Sequence, residues 1–176
     1  MRKTPSLSMI IGGASSGKSS FAERHVLATP GPWFYLATAQ AFDDEMRLKI
    51  ATHQENRRRD GWQTIEETSD ISSALDRIPG DASVLLDCAT MWLNNVMLAE
   101  LDVAKESTRL LDTLANARQR ITVVTNEVGL GIVPENALAR RFRIAQGELN
   151  AQIAAQSTLV VAVMAGLPLV LKGQMR

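Results

Sequence analysis

Apolar positions along the chain follow two alternating rhythms. Short runs rich in Val, Ile and Leu occur at Leu7 to Ile11, Trp33 to Ala37, Val84 to Leu86, Ile121 to Thr125 and Leu159 to Val163. Runs this short, bounded by Gly, Pro, Asp or Asn, read as buried strands. A sixth, Leu169 to Leu171, follows a Gly166-Leu167-Pro168 turn and is placed to close a sheet edge as a hairpin partner. Between the strands the apolar spacing turns helical, at Ser19 to Leu27, Asp43 to about Asn56, Ser72 to Arg77, a long stretch ending near Gln119, and Glu135 to about Gln156. Pro134 followed by Glu135 suits a helix start, because a proline in the first turn loses no bond and an early carboxylate complements the helix dipole. The alternation predicts an α/β fold, a mainly parallel sheet flanked by helices. Ligands of such sheets gather beyond the carboxyl ends of the strands, which directs attention to the residues after Ile11, Ala37, Leu86 and Thr125.

Composition narrows the class. The 176 residues carry 19 Lys and Arg against 19 Asp and Glu, and 45% are hydrophobic. A balanced charge supplies no long-range field for holding a nucleic-acid backbone, so the expected anionic partner is a nucleotide rather than a polyanion. The single Cys88 cannot form an internal disulfide framework. Arg2 and Lys3 precede an apolar run that ends in glycines too soon for an export signal. Leu159 to Leu171 is shorter than the about 20 residues a membrane span needs, and Gly166 and Pro168 divide it. No repeat or Pro/Gly-rich linker cuts the chain. The expectation is one cytoplasmic catalytic domain over 1–176, with no membrane span and no nucleic-acid partner.

The first strand runs into Gly12-Gly13-Ala14-Ser15-Ser16-Gly17-Lys18-Ser19, which fits G-x-x-x-x-G-K-[ST] at every fixed position and lies between a strand and a helix. Glycines let successive N–H groups turn inward as a nest, and the following helix aims its positive end at the same place. A triphosphate fits that cradle, with Lys18 reaching its β- and γ-phosphates and Ser19 offering a hydroxyl to Mg²⁺. The matching acidic residue is Asp87, at the end of Ser83-Val84-Leu85-Leu86-Asp87. Alone it could be a turn residue; beside the phosphate loop it reads as the metal-side carboxylate.

Of the two histidines, His25 reads as a half-exposed residue of the helix leaving the loop. His53 shares a helix face with Met46 and Ile50, with Arg57 one turn on. Spacing alone reads it first as a histidine edging the core. The other reading is a covalent nucleophile, since a neutral imidazole nitrogen can attack phosphorus. Ala37-Thr38-Ala39-Gln40 and Thr125-Asn126-Glu127-Val128-Gly129-Leu130-Gly131 bring hydrogen-bonding groups to strand ends. Asn126 and Glu127 could position substrate or base, and Gly129 and Gly131 would permit close backbone approach. Cys88 reads as a small buried hydrophobe, and Trp33, Trp62 and Trp92 as packing.

With these segments in place, the sequence resembles the bifunctional adenosylcobinamide kinase/adenosylcobinamide-phosphate guanylyltransferase family of cobalamin biosynthesis, from about Met9 to Lys172. The carriers are the phosphate loop, Tyr35-Leu36-Ala37-Thr38-Ala39-Gln40, Asp43-Asp44-Glu45-Met46, His53, Leu85-Leu86-Asp87-Cys88, and Thr125 through Pro134. The resemblance implies a P-loop NTPase of RecA-like architecture, a homotrimer, Mg²⁺ held by Ser19 and Asp87, and two reactions at one site. ATP or GTP would phosphorylate adenosylcobinamide; GTP would then give GMP to that phosphate through a guanylylated histidine, which by motif falls on His53. Nucleotide contacts would fall on Gly12, Gly13, Ala14, Ser15, Ser16, Gly17, Lys18, Ser19, Ala37, Thr38, Ala39, Gln54, Glu55, Asn56, Arg57, Glu66 and Asp87. Family members often carry a second histidine where this chain has Thr52, and Glu where it has Asp87. Two other classes stay open at this point: a nucleotide-dependent switch that transfers nothing, and an ATPase acting on nucleic acid, against which the neutral charge weighs.

Overall fold

A computed structural model of the chain describes residues 6–39, 55 and 59–175. In chain order the elements are β1 (Leu7–Gly12), α1 (Lys18–Leu27), β2 (Trp33–Ala37), β3 (Trp62–Glu66), α2 (Ile71–Asp76), β4 (Ser83–Asp87), α3 (Ala89–Leu98), α4 (Val103–Asn116), β5 (Arg120–Asn126), α5 (Ala137–Gln156), β6 (Leu159–Met164) and β7 (Leu167–Lys172). Among the described residues the strands form one sheet in the order β3-β2-β4-β5-β1-β6-β7. All neighbours are parallel except β6 and β7. β1 therefore lies between β5 and β6, and Thr158 donates its N–H to the Leu7 carbonyl at 2.8 Å at the start of that pairing.

Strand periodicity sorts the core into two layers. Met9, Val84, Leu86, Ile121 and Val123 face one way and pack with buried residues of α2 to α5, including Ala74, Trp92, Leu110, Leu114, Leu149 and Ile153. Ile10, Leu85, Val124 and Val161 face the other way, against Ala22 and Val26 of α1. Two buried faces explain why the inner strands read as continuous apolar runs.

Four expectations shift. β3 is a strand that the apolar runs do not announce, because Gln63 and Glu66 are exposed on the sheet edge and Trp62 is its one buried residue. The long helix ending near Gln119 is two helices, α3 and α4. Glu100 between them turns to φ 55, and Asp102 caps α4 by accepting from the Lys105 N–H at 3.1 Å. The last long helix starts at Ala137 rather than Glu135, because Asn136 supplies the cap, accepting from Ala139 N–H at 3.1 Å. The β6–β7 turn is Ala165-Gly166, with φ of 50 and 77, so Leu167 and Pro168 already belong to β7. A proline is tolerated there because β7 is an edge strand. The predicted Asp43 to Asn56 helix lies outside the described residues apart from Glu55. Among the described residues no helix is long and apolar enough to cross a membrane.

Candidate functional site

The carboxyl ends of β1, β2, β4 and β5 meet along one edge. Gly12 closes β1 with no room for a side chain: a Cβ there would stand 2.4 Å from Ser16 Oγ and 2.5 Å from the Val163 carbonyl oxygen. Gly17 takes φ 90 and opens α1. The loop curls over its own first turn, with Ser16 N–H donating to Gly13 O at 3.3 Å and Lys18 Nζ donating to the same carbonyl at 3.1 Å. The ammonium thus stands at the mouth of the cradle formed by Gly13, Ala14, Ser15, Ser16 and Gly17. Ser19 follows in the first turn of α1 and is half-buried.

The loop has a support that its motif does not reveal. Gly166, in the β6–β7 turn, donates its N–H to the Ser16 carbonyl at 2.8 Å, and a Cβ on Gly17 would meet Gly166 Cα at 3.2 Å. A turn that in sequence only reverses the chain also holds the phosphate loop from behind.

Register sets out the acidic side. Glu66, Ala37 and Asp87 stand in one row across β3, β2 and β4. Asp87 pairs with Val124 of β5, and two residues further along β5 Asn126 pairs with Gly12. One strand therefore separates the phosphate loop from Asp87, a gap of roughly 10 Å for two strand spacings. Tyr35 Oη donates to Asp87 Oδ2. Thr38 is fully buried, and its hydroxyl both donates to Cys88 O and accepts from Cys88 N–H, each at 2.8 Å, locking the ends of β2 and β4 together. Asn95 of α3 completes the lock by donating to Thr38 O at 2.8 Å and Thr68 O at 2.9 Å. Cys88 is buried, as its sequence context suggests. Burial first, and then the Asp87 carboxylate, push its thiol up to about 11, while the Lys18 charge pulls the other way. One thiol thus senses both Lys18 and Asp87.

The end of β5 is held by a buried polar cluster. Thr125 Oγ1 donates to Asn150 Oδ1 at 2.7 Å, and Gln146 Nε2 donates to Thr125 Oγ1 at 3.0 Å and to Asn150 Oδ1 at 2.8 Å. Thr90 accepts from the Asn126 N–H at 2.8 Å, and Asn150 Nδ2 donates to Asn126 O at 3.0 Å. Glu127 donates its N–H to Gly12 O at 3.1 Å, while its carboxylate accepts from Gly129 N–H. The glycines beyond serve a close approach from within the chain: Arg143 donates to the carbonyls of Gly129 and, at 3.1 Å, Gly131. Past them the chain walls an open groove of about 530 Å³ between α3 and α5, lined by Met97, Leu98, Val128, Leu138 and Phe142 among others.

The structure thus sets the phosphate loop, Lys18, Ser19, Ala37, Thr38, Ala39 and Asp87 along one carboxyl edge of the sheet, with Glu66 at its far end on β3, four strand positions from β1. Glu55 is exposed and lies 3.6 Å from Arg59 in an i,i+4 ion pair. His53, Gln54, Asn56 and Arg57 lie outside the described residues. His25 is half-buried and stacked on Phe21, with ring centroids 6.3 Å apart. Trp62 and Trp92 are buried packing residues.

Comparison with known proteins bears on the fold and on the family. Solved structures similar to the chain include the flagellar accessory protein FlaH of Methanocaldococcus jannaschii, at a TM-score of 0.54, 15% identity and coverage of 97% of this chain and 79% of that one. The RadB recombinase matches at a TM-score of 0.53 and 13% identity, covering 89% of this chain and 73% of that one. At such identities the likeness shows the fold alone, that of RecA-like P-loop NTPases. In sequence, the chain is 41% identical over 172 residues to the bifunctional adenosylcobalamin biosynthesis protein CobP of Pseudomonas aeruginosa, covering 94% of this chain and 97% of that one. It is 34% identical to the CobU protein of Salmonella typhimurium, which bears the same description, covering 93% of this chain and 98% of that one. The profile of the cobinamide kinase / cobinamide phosphate guanyltransferase family matches residues 8–171. With the phosphate loop, its strand-end partners and this match in agreement, the chain belongs to the cobinamide kinase / cobinamide phosphate guanyltransferase family and is an enzyme of that class.

Proposed function

We propose that the chain phosphorylates adenosylcobinamide with ATP or GTP and then transfers GMP from GTP to the product, releasing pyrophosphate and forming adenosylcobinamide-GDP. The observation that carries this reading is the cradle that ends β1 with Lys18 at its mouth, one strand away from Asp87. In the kinase step the protein positions and neutralises: the loop amides and Lys18 absorb charge on the transferred phosphoryl group. In the guanylyl step His53 attacks the α-phosphorus, the bond to pyrophosphate breaks with Lys18 holding the departing charge, and the phosphate of the acceptor displaces the histidine. His53 takes this role by family resemblance.

The residues fit Mg²⁺. Ser19 and Asp87 are hard oxygen donors, and among the described residues no group of three or more His, Cys, Asp or Glu could hold a metal. A pair of oxygen donors suits an ion carried largely by phosphates and water rather than by a protein cage. Bound there, Mg²⁺ would neutralise charge on the β- and γ-oxygens. Nucleotide contacts extend along the edge to Ala37, Thr38, Ala39 and Glu66, and to Gln54, Glu55, Asn56 and Arg57 beyond the histidine. One catalytic domain, a cytoplasmic setting and a homotrimer complete the proposal. An assembly is supported by exposed apolar residues on β7 and the 128–134 loop, Leu167, Leu169, Leu171, Leu130 and Ile132.

Incubation with GTP labelled at the α-phosphate tests the reading. Expected are an acid-labile protein adduct in the parent, none in His53→Ala with kinase activity partly retained, and loss of both steps in Lys18→Ala. Labelling that survives His53→Ala would overturn the histidine assignment. A parent that forms neither adduct nor phosphorylated corrinoid would instead be a switch module.

A further inference from the structure

Asn126 ends β5 between the two halves of the site, one strand from Gly12 and one from Asp87. Its main chain is held on both sides, the N–H by Thr90 Oγ1 and the carbonyl by Asn150 Nδ2. Thr90 lies in the first turn of α3, three residues beyond Asp87, so the same hydroxyl ties Asn126 to the metal-side strand. The side chain is half held and half free. Its Oδ1 is fully enclosed with no hydrogen-bond partner, while the residue as a whole is half-exposed. Among the described residues the Nδ2 group has no hydrogen-bond partner, and it is not fully enclosed, so the amide offers a donor at the strand end.

A fixed amide donor at this position has an obvious acceptor. The loop backbone and its lysine cradle the β- and γ-phosphates, and charge in phosphoryl transfer spreads over the oxygens of the terminal phosphorus. Lys18 and the loop amides approach that group from the β1 and α1 side. The cation just beyond the β5 tip, Arg143, is engaged by the carbonyls of Gly129 and Gly131, and the neighbouring carboxylate of Glu127 is turned back onto the Gly129 N–H.

We infer that Asn126 is a further catalytic residue of the kinase step: its amide donates to an oxygen of the terminal phosphoryl group, and Thr90 is the positioning residue that aims it. The inference rests on the kinase reading of the site. The contact is a hydrogen bond only; no bond to Asn126 forms or breaks, and it carries no proton. Selectivity between the two reactions follows. Guanylyl transfer breaks the bond at the α-phosphorus, two phosphates away, so it depends on this donor far less.

The test measures both steps in Asn126→Ala, Asn126→Asp, Thr90→Val and Thr90→Ser, with the Kd for β,γ-imido GTP as the binding readout. For Asn126→Ala the kinase kcat is expected to fall about 100-fold, the scale of a lost transition-state donor, with the Kd and guanylyl rate changed less than about threefold. Asn126→Asp falls lower still, because a carboxylate repels the phosphoryl oxygens. Thr90→Val lowers kinase kcat about tenfold, and Thr90→Ser, which keeps the hydroxyl, restores it. A kinase kcat in Asn126→Ala within threefold of a parent active in both steps overturns this inference alone. Equal losses in both steps together with the Kd would make Asn126 a packing residue and overturn it equally. A parent with no kinase activity removes the reading beneath it.

Discussion

Tyr35 places its hydroxyl on Asp87 Oδ2, across the β2–β4 pairing and under the carboxyl edge of the sheet. The tyrosine is 5% exposed, so the carboxylate is aimed by a group that cannot move away into solvent. Tyr35→Phe removes the donor, a loss of about 1.5–3 kcal/mol for a hydrogen bond to a charged group. The expected outcome is a lower melting temperature and a higher Mg²⁺ concentration for half-maximal kinase rate, read from a metal titration. An unchanged titration would show that Asp87 needs no aiming.

Gly12 and Gly13 are adjacent and should behave oppositely. A Cβ at Gly12 would press on Ser16 Oγ and on the backbone oxygen of Val163, whereas at Gly13 it meets nothing within 4 Å. Gly12→Ala is expected to lose about 1–3 kcal/mol through overpacking and to abolish nucleotide binding. Gly13→Ala should keep the melting temperature of the parent. Calorimetry of the two variants decides it.

The loop motif and the end of β4 could be read from sequence because each needs particular residues at consecutive positions. The interactions that aim them are hidden for the opposite reason. Tyr35 meets Asp87, and Thr38 meets Cys88, only because β2 and β4 are neighbours, and adjacency is not written in either segment. Gln146 and Asn150 look like ordinary polar positions of a long helix until β5 is laid against them. Gly166 looks like a turn residue, and β3 carries no continuous apolar run because an edge strand alternates with polar residues.

Burial lowers the His25 pKa below its ordinary value of 6.5. The folded state therefore prefers the neutral ring, and the unfolded chain takes up the extra proton. His25 contributes stability that is full above about 6.5 and is lost as pH falls below that value. Denaturant melts at pH 7.5 and 5.5 should show a smaller acid loss in His25→Gln than in the parent. An equal loss in both proteins would remove His25 from the account.

The Cys88 thiol, pushed up to about 11 by burial and by Asp87, is protonated at neutral pH. Two pKa units mean about 100-fold less thiolate than in an ordinary cysteine. Alkylation by iodoacetamide at pH 7.5 should be at least that much slower in the native protein than in guanidinium. With the folded value raised, this group stabilises fully below the ordinary value near 9.0 and the contribution is lost as pH rises through about 11. Rapid native alkylation would contradict the burial.

The order of the strands also governs when the site comes into being during synthesis. β1 is made first, yet its neighbours β5 and β6 end at Asn126 and Met164. The phosphate loop at its tip packs against Val163 and is bonded to Gly166. A nascent chain that has not yet delivered residue 166 holds the full G-x-x-x-x-G-K-[ST] motif and its β5 neighbour but lacks the support behind the loop, and long-range pairings of this kind form late. Nucleotide cannot template the early part of the fold. Competence to bind it is expected only once residues 163–166 are in place, so chains cut before β6 should not retain GTP.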